Sequence, residues 1–231
     1  MAKARMGRSV VLQAVFGFAV PKKRRGPRRT KDSRVAHGSR EEMKGGVAHV
    51  TIKLKKGFRC LRMDEEMAVV RAAIARVNRG GLVRIVEFSV MSNHVHLIVE
   101  AENSGDLSKG MASLNTGLGM RLNRLWGRVR QGSVFAERFH LEVITSPTQM
   151  RNVLKYVLRN DVHHGLGLGI LDPCSSAMSF GGFAERQSVD KVDCVSVEAQ
   201  SWLLRTGWTK GGAKGLLTIH DLPRVTGRLQ A

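Results

Sequence analysis

The chain has 231 residues, and 38 Lys+Arg against 19 Asp+Glu leave a formal net charge of +19 with a sequence pI near 11.0. Hydrophobic content of 42% with 25% charged residues excludes wholesale disorder, and no run reaches the ~18 consecutive apolar residues of a membrane span. The charge balance points to a polyanionic partner, nucleic acid before an anionic membrane surface. Cys60, Cys174 and Cys194 are odd in number, far apart and form no CxxC, which argues against a zinc ribbon or a disulfide scaffold and fits a reducing cytosol.

Residues 1–45 differ from the rest. They carry thirteen Lys/Arg against Asp32, Glu41 and Glu42, and the stretch Pro21 to Arg29 has no apolar periodicity. The segment reads as a disordered basic arm that neutralises phosphates, with Arg24, Arg25, Arg28 and Arg29 as candidate DNA contacts. Val10 to Val20 imitates the apolar stretch of a signal peptide, but no A-x-A-like site follows and the next residues are strongly basic, so it is not read as one.

Regular periodicity begins at Val47. Val47 to Lys55 alternates as a strand. Asp64 to Val77 spaces Met67, Val70, Ala73, Ile74 and Val77 as a helix, stopped by Gly80-Gly81. Leu82 to Met91 and Asn93 to Glu100 read as a hairpin around Ser92-Asn93. A second helix opens at Ser104 or Asp106 and carries Leu107, Met111, Leu114, Leu118, Leu122 and Leu125 on one stripe. Val134 to Ile144 reads as a fourth strand. Ser146-Pro147-Thr148-Gln149 then supplies an N-cap, a first-turn proline and a capping-box glutamine for a last helix running to about His164. The order β-α-β-β-α-β-α is an α+β, ferredoxin-like antiparallel sheet with helices on one face. The chain thus divides into the arm (1–45), this domain (46–165) and a Gly-rich C-terminal extension (166–231). Trp202 to Trp208 and Leu216 to Leu222 are expected to form a small helical appendage there.

Chemistry concentrates in two places. On the second hairpin strand, His94 and His96 project from one face and Val95, Leu97 and Val99 from the other. Two imidazoles about 7 Å apart along a strand suit a shared cation. On the last helix, Tyr156 is the only tyrosine of the chain; it shares a polar face with Gln149, Asn152, Asn160 and His163, beside the apolar stripe of Met150, Val153, Leu154 and Val157. Asn160 can offer an amide oxygen to a metal, or simply end the helix. Two imidazoles and one amide oxygen describe a modest-affinity divalent site for Mg²⁺ or Mn²⁺.

Met91-Ser92-Asn93-His94-Val95-His96-Leu97, then Gln131-Gly132-Ser133-Val134-Phe135, then Tyr156-Val157-Leu158-Arg159-Asn160 resemble, in that order, the HUH-type single-tyrosine transposases, and within them the REP-associated tyrosine transposase branch. His49-Val50-Thr51 is similar to that family's first strand. Ser92 stands where the family usually has proline, as does Asp161 after Asn160; neither change removes a chemical group. The resemblance implies a metal-dependent transposase. It would cleave and rejoin single-stranded DNA through a 5′-phosphotyrosine intermediate, with Tyr156 as nucleophile and His94, His96 and Asn160 as ligands of Mg²⁺ or Mn²⁺. The implied partner is single-stranded DNA at hairpin-forming element ends, with no membrane, a bacterial cytoplasmic and nucleoid-associated setting, and either a monomer or a homodimer. Arg121, Arg124, Arg128 and Arg130 would track the DNA backbone. An aromatic content of 5% does not support extensive base stacking. The alternatives are a domesticated binder that grips structured single strands without cutting, and a two-histidine phosphodiesterase acting on RNA.

Overall fold

A computed structural model of the chain describes residues 43, 46–163, 165, 171–185, 195–212 and 214–221, all within one unit that runs from Arg40 to Ala231. Of the basic arm only Met43 is described, and it is buried, its N–H donating to Ser104 Oγ (2.6 Å); Arg24, Arg25, Arg28 and Arg29 and the Val10 to Val20 stretch lie outside the described residues. The elements are β1 (Gly46–Lys53), α1 (Asp64–Gly80), β2 (Arg84–Val90), β3 (His94–Ala101), α2 (Ser104–Leu125), β4 (His140–Ile144), α3 (Pro147–Leu158) and α4 (Asn160–His163), followed by the short α5 (Trp202–Arg205). The sheet order is β2-β3-β1-β4 with every neighbouring pair antiparallel, which is the ferredoxin-like arrangement.

Alternation divides the sheet into two faces. Ala48, Val50 and Ile52 of β1, Phe88 and Val90 of β2, and Val95, Leu97 and Val99 of β3 pack with α1 through Met67, Val70, Ile74 and Val77. Leu107, Met111, Leu114, Leu118 and Leu122 of α2 close the same core. Both helices are crossovers between parallel strands, and the right-handed rule sends both to one side. The expectation of helices on one face therefore holds for α1 and α2 but not for α3, which covers the opposite face. Val47, Val86, Ile98 and Ile144 emerge there and pack with Met150, Val153, Leu154 and Val157. Among the described residues no strand follows α3, so crossover handedness does not constrain it; its apolar stripe goes to the sheet face still bare.

Three local departures from the expected elements have physical causes. The strand expected over Val134 to Ile144 is cut short. Residues 134–136 only run beside the end of β1, with Lys55 N–H donating to Val134 C=O (2.9 Å) and Ala136 N–H to Lys53 C=O (3.0 Å), and regular pairing resumes at His140. In β2 the register shifts between Ile85 and Glu87. That bulge puts Val86 and Glu87 both on the α3 side. The last helix is not continuous: α3 ends at Leu158, Arg159 adopts φ −120° and ψ 30°, and α4 restarts at Asn160. At the front of α3 the Ser146 cap forms as read, Gln149 N–H donating to Ser146 Oγ (3.2 Å), but Gln149 Oε1 accepts from Thr145 N–H (3.0 Å), one residue before the cap, rather than from the cap itself.

The C-terminal segment is fastened to this frame by polar contacts as much as by packing. Val90 N–H donates to Cys174 C=O and Ser176 N–H to Phe88 C=O, both 2.9 Å, so residues 174–176 extend the sheet at the β2 edge. Arg62 grips Asp172 bidentately at 2.8 Å twice. Leu171, Phe183, Leu204, Trp208 and Leu217 pack onto α3. The buried Arg151 of α3 donates to Gly215 C=O (2.5 Å) and Leu216 C=O (3.0 Å). Gly211 presses so close that a Cβ there would lie 2.3 Å from the carbonyl carbon of Pro147. Of the expected appendage, Trp202–Arg205 is helical and Gly207–Lys210 is a 3₁₀ turn, while residues 216–221 contain no helix.

Glu87 carries a pH signature. Its carboxyl is buried and pushed up to about 8 by desolvation, against the opposing hydrogen bond of Ser176 Oγ, 2.5 Å from Oε2. The folded pKa lies above the unfolded value near 4.5. The protonated carboxyl therefore supports the fold fully below about pH 4.5, and that support is lost as pH rises through 8. A thermal-melt series from pH 5 to 8 is expected to show a loss on the order of 3 kcal/mol from this group. Glu87→Gln should flatten the slope; an unchanged slope in the variant would show that other groups set it.

Candidate active site

The face that carries α3 also carries the histidines. Position i of β3 and its partner on β1 point to the same side, and the register pairs Thr51 with His96, His49 with Ile98 and Lys53 with His94. Alternation thus collects His49, Thr51, His94 and His96 on one side, with Tyr156 descending from α3. The ring of Tyr156 meets His96 edge-on at a centroid distance of 5.1 Å and His49 at 5.9 Å. His94 meets His96 edge-on at 4.8 Å, and His49 stacks on His96 at 5.2 Å. His49 (3% exposed), His96 (4%) and Tyr156 (8%) are buried, while His94 is half-buried at the open end of the group.

Hydrogen bonds orient the rings. His49 Nε2 lies 3.0 Å and Thr51 Oγ1 3.1 Å from His96 Nδ1; Asn93 Oδ1 lies 2.8 Å from His94 Nδ1. In both histidines Nδ1 is engaged by protein, so Nε2 is the nitrogen through which a cation would be held. Ligation through Nε2 requires the proton of His96 on Nδ1, and His49 Nε2 and Thr51 Oγ1 stand ready to accept it. Burial lowers His49 to about 4, with His140 adding in the same direction, so at neutral pH His49 is an uncharged acceptor. Burial pushes the Tyr156 hydroxyl above its ordinary value, so it stays protonated at neutral pH.

Asn160 is fully buried, and neither its Oδ1 nor its Nδ2 has a hydrogen-bond partner among the described residues. The break at Arg159 separates it from the helix of Tyr156, and no hydrogen bond joins it to either histidine among the described residues. Asp161 beside it is also fully buried, 3.7 Å from Arg159 Nε; burial raises its carboxyl against the lowering effect of Arg159. Among the described residues no three His, Cys, Asp or Glu side chains gather to hold a metal. Two imidazoles plus an amide oxygen are donors of the kind a divalent cation takes, and the buried Oδ1 of Asn160 is an oxygen donor with no hydrogen-bond partner among the described residues. Of the candidate DNA contacts, Arg121, Arg124 and Arg130 are exposed, whereas Arg128 lies over the Phe58 ring, 4.8 Å from its centroid. The sequence alone does not mark His49 and Thr51 as site residues. The alternation of β1 was the available signal, since it sets both opposite Val50 and Ile52.

A family model of IS200-like transposases matches residues 45–160, half of the chain. The structure of a REP-associated tyrosine transposase bound to a REP hairpin matches with a TM-score of 0.54 at 20% identity, over 72% of this chain and 99% of that one, and so shares the fold. A putative transposase from Deinococcus radiodurans R1 matches with a TM-score of 0.39 at 14% identity, over 56% and 95% of the two chains. No curated protein matches the chain. The fold is that of the single-tyrosine transposases. The chain belongs to the IS200-like transposase family. None of the described helices is long and apolar enough to cross a membrane.

Proposed function

We propose that this transposase cleaves and rejoins single-stranded DNA at hairpin-forming element ends, through a 5′-phosphotyrosine link to Tyr156. The observation that carries the reading is the edge-on contact of the sole tyrosine with His96 across the sheet face, within one chain. That contact also supports a site served by its own subunit's tyrosine.

The residues divide the work by chemistry. A divalent cation, Mg²⁺ or Mn²⁺, held by His94, His96 and Asn160, would supply positive charge at the scissile phosphate. His49 and Thr51 fix the tautomer and tilt of His96. The oxygen of Tyr156 bonds to phosphorus, and the bond from phosphorus to the 3′ oxygen breaks. That oxygen leaves as a 3′-hydroxyl, taking up one proton for the one the phenol gives. Covalent storage keeps the phosphoester energy for a later 3′-hydroxyl to reverse the step and join new ends. A phenol held protonated by burial is a poor nucleophile in the resting site, which restrains cleavage until DNA and cation are both in place. The net charge of +19 suits a DNA partner. The solved relative was captured with a REP hairpin, which supports the same class of partner here, in a bacterial cytoplasm and on the nucleoid.

The test is incubation of the protein with labelled single-stranded hairpin DNA from the flanks of its own gene, with Mg²⁺, Mn²⁺ or EDTA, followed by denaturing electrophoresis. Label migrating with the protein only when metal is present is the expected result. Binding without any adduct, across metals and flank sequences, would favour the non-cleaving binder.

A further inference from the structure

Three planar groups stack on the α1/α2 side of the sheet, in and beside the loop that follows β1. Trp126, at the end of α2, donates from Nε1 to the fully buried Glu66 at 2.8 Å, which anchors the inner end. Phe58 lies against it at 5.2 Å between centroids and 24° between planes. The guanidinium of Arg128 lies over the Phe58 ring, 4.8 Å from its centroid. All three side chains are half-buried. Among the described residues Arg128 makes no ion pair, and its buried Nε has no hydrogen-bond partner, so it is held by stacking rather than by a carboxylate.

The stack is tied to the histidines by the backbone. The loop that carries Phe58 is bonded at both ends to the turn that presents His94: Leu54 N–H donates to Asn93 C=O and Leu61 N–H to Ser92 C=O, both 2.8 Å. Lys53, at the start of that loop, is the register partner of His94. Lys55 and Lys56 of the loop are exposed, as is Arg130. Arg130 sits in the left-handed region at φ 64°, between Gly127 at 66° and Gly132 at 85°. A non-glycine residue bears a cost there, and such strain clusters at ligand-binding sites.

We propose that Arg128, Phe58 and Trp126 form a platform on which an unpaired base of the DNA strand stacks next to the cleavage site, with Lys55, Lys56 and Arg130 on the adjoining phosphates. This rests on the single-stranded DNA reading above and deepens it, since it names where one base is held. A guanidinium plane backed by two aromatic rings attracts any base through its π-face, and its charge adds a phosphate contact without demanding a sequence. Fixing one base on a loop bonded to the His94 turn would set how far the scissile phosphate stands from the histidines.

The test measures affinity by fluorescence anisotropy in EDTA, where strand cleavage is suppressed. The probes are hairpin oligonucleotides from the gene's flanks with an abasic residue at each unpaired position in turn. For the wild-type protein, one abasic position is expected to weaken binding about tenfold. In Arg128→Lys, which keeps the charge but loses the plane, that penalty should shrink to within about twofold while the salt dependence stays the same. Phe58→Leu should behave likewise, and because Arg128→Lys alters only a half-exposed cation, it keeps the test valid if Phe58→Leu unfolds. An abasic penalty that persists in Arg128→Lys, or that occurs at no position in the wild type, would overturn the platform. A wild-type protein that binds none of these strands would instead overturn the DNA reading beneath it.

Discussion

Tyr156→Phe is expected to abolish the covalent protein–DNA adduct, lowering strand cleavage by about three orders of magnitude or more, while DNA affinity stays within about twofold. The phenyl ring keeps its place between α3 and the sheet, where Tyr156 is 8% exposed among Val153, Leu154 and Val157. Only the hydroxyl is lost, so folding should change by about 1 kcal/mol or less. No second phenol exists in the chain to take over. Denaturing gels, anisotropy and thermal melts of the two proteins separate the three quantities. Cleavage that survives Tyr156→Phe would point to the two-histidine phosphodiesterase chemistry, in which the histidines work without a covalent protein link.

His96→Ala is expected to be as severe for cleavage and to differ from His49→Ala in kind. His96 is the ring that touches Tyr156, His94 and His49 at once, at centroid distances of 5.1, 4.8 and 5.2 Å. Its loss would remove one of the proposed ligands and leave His49 and Thr51 without the ring they orient. Cleavage should fall by about a thousandfold or more, and added Mn²⁺ should not restore it. His49→Ala would leave all three proposed ligands in place and remove only the acceptor 3.0 Å from His96 Nδ1. The expected loss is about 10- to 100-fold, appearing chiefly as a higher Mn²⁺ requirement. Titrating cleavage against Mn²⁺ for the two variants checks both statements. Equal losses that Mn²⁺ does not relieve in either variant would place His49 among the groups that touch the reacting atoms.

The parts of this site that the sequence makes legible are those fixed by short-range period. Alternation in Asn93 to Glu100 puts His94 and His96 on one face, and the 3.6-residue period of residues 64–80 and 104–125 sets the buried stripes of α1 and α2. The same alternation places His49 and Thr51, but only the register pairing Thr51 with His96 brings them to the site, and register is a long-range property. The side taken by α3 is not legible, because an apolar stripe tells that a face is buried and not against which sheet face. The grouping of Asn160 with Tyr156 assumed an unbroken helix, and the break at Arg159 comes without a glycine or proline to announce it. The described residues after 170 are illegible for a further reason. They are held by contacts between groups far apart in the chain, such as Arg62 with Asp172 and Arg151 with Gly215, and neither leaves a periodic trace.

The central claim is that a single phenol forms the bond to DNA. Mass spectrometry of the isolated adduct, after nuclease and tryptic digestion, tests it most directly. Cleavage after Lys155 and Arg159 releases the peptide Tyr156-Val157-Leu158-Arg159. A nucleotide mass carried by that peptide, with fragments assigning it to Tyr156, is the predicted result. A nucleotide mass on any other peptide, with this one recovered unmodified, would contradict it.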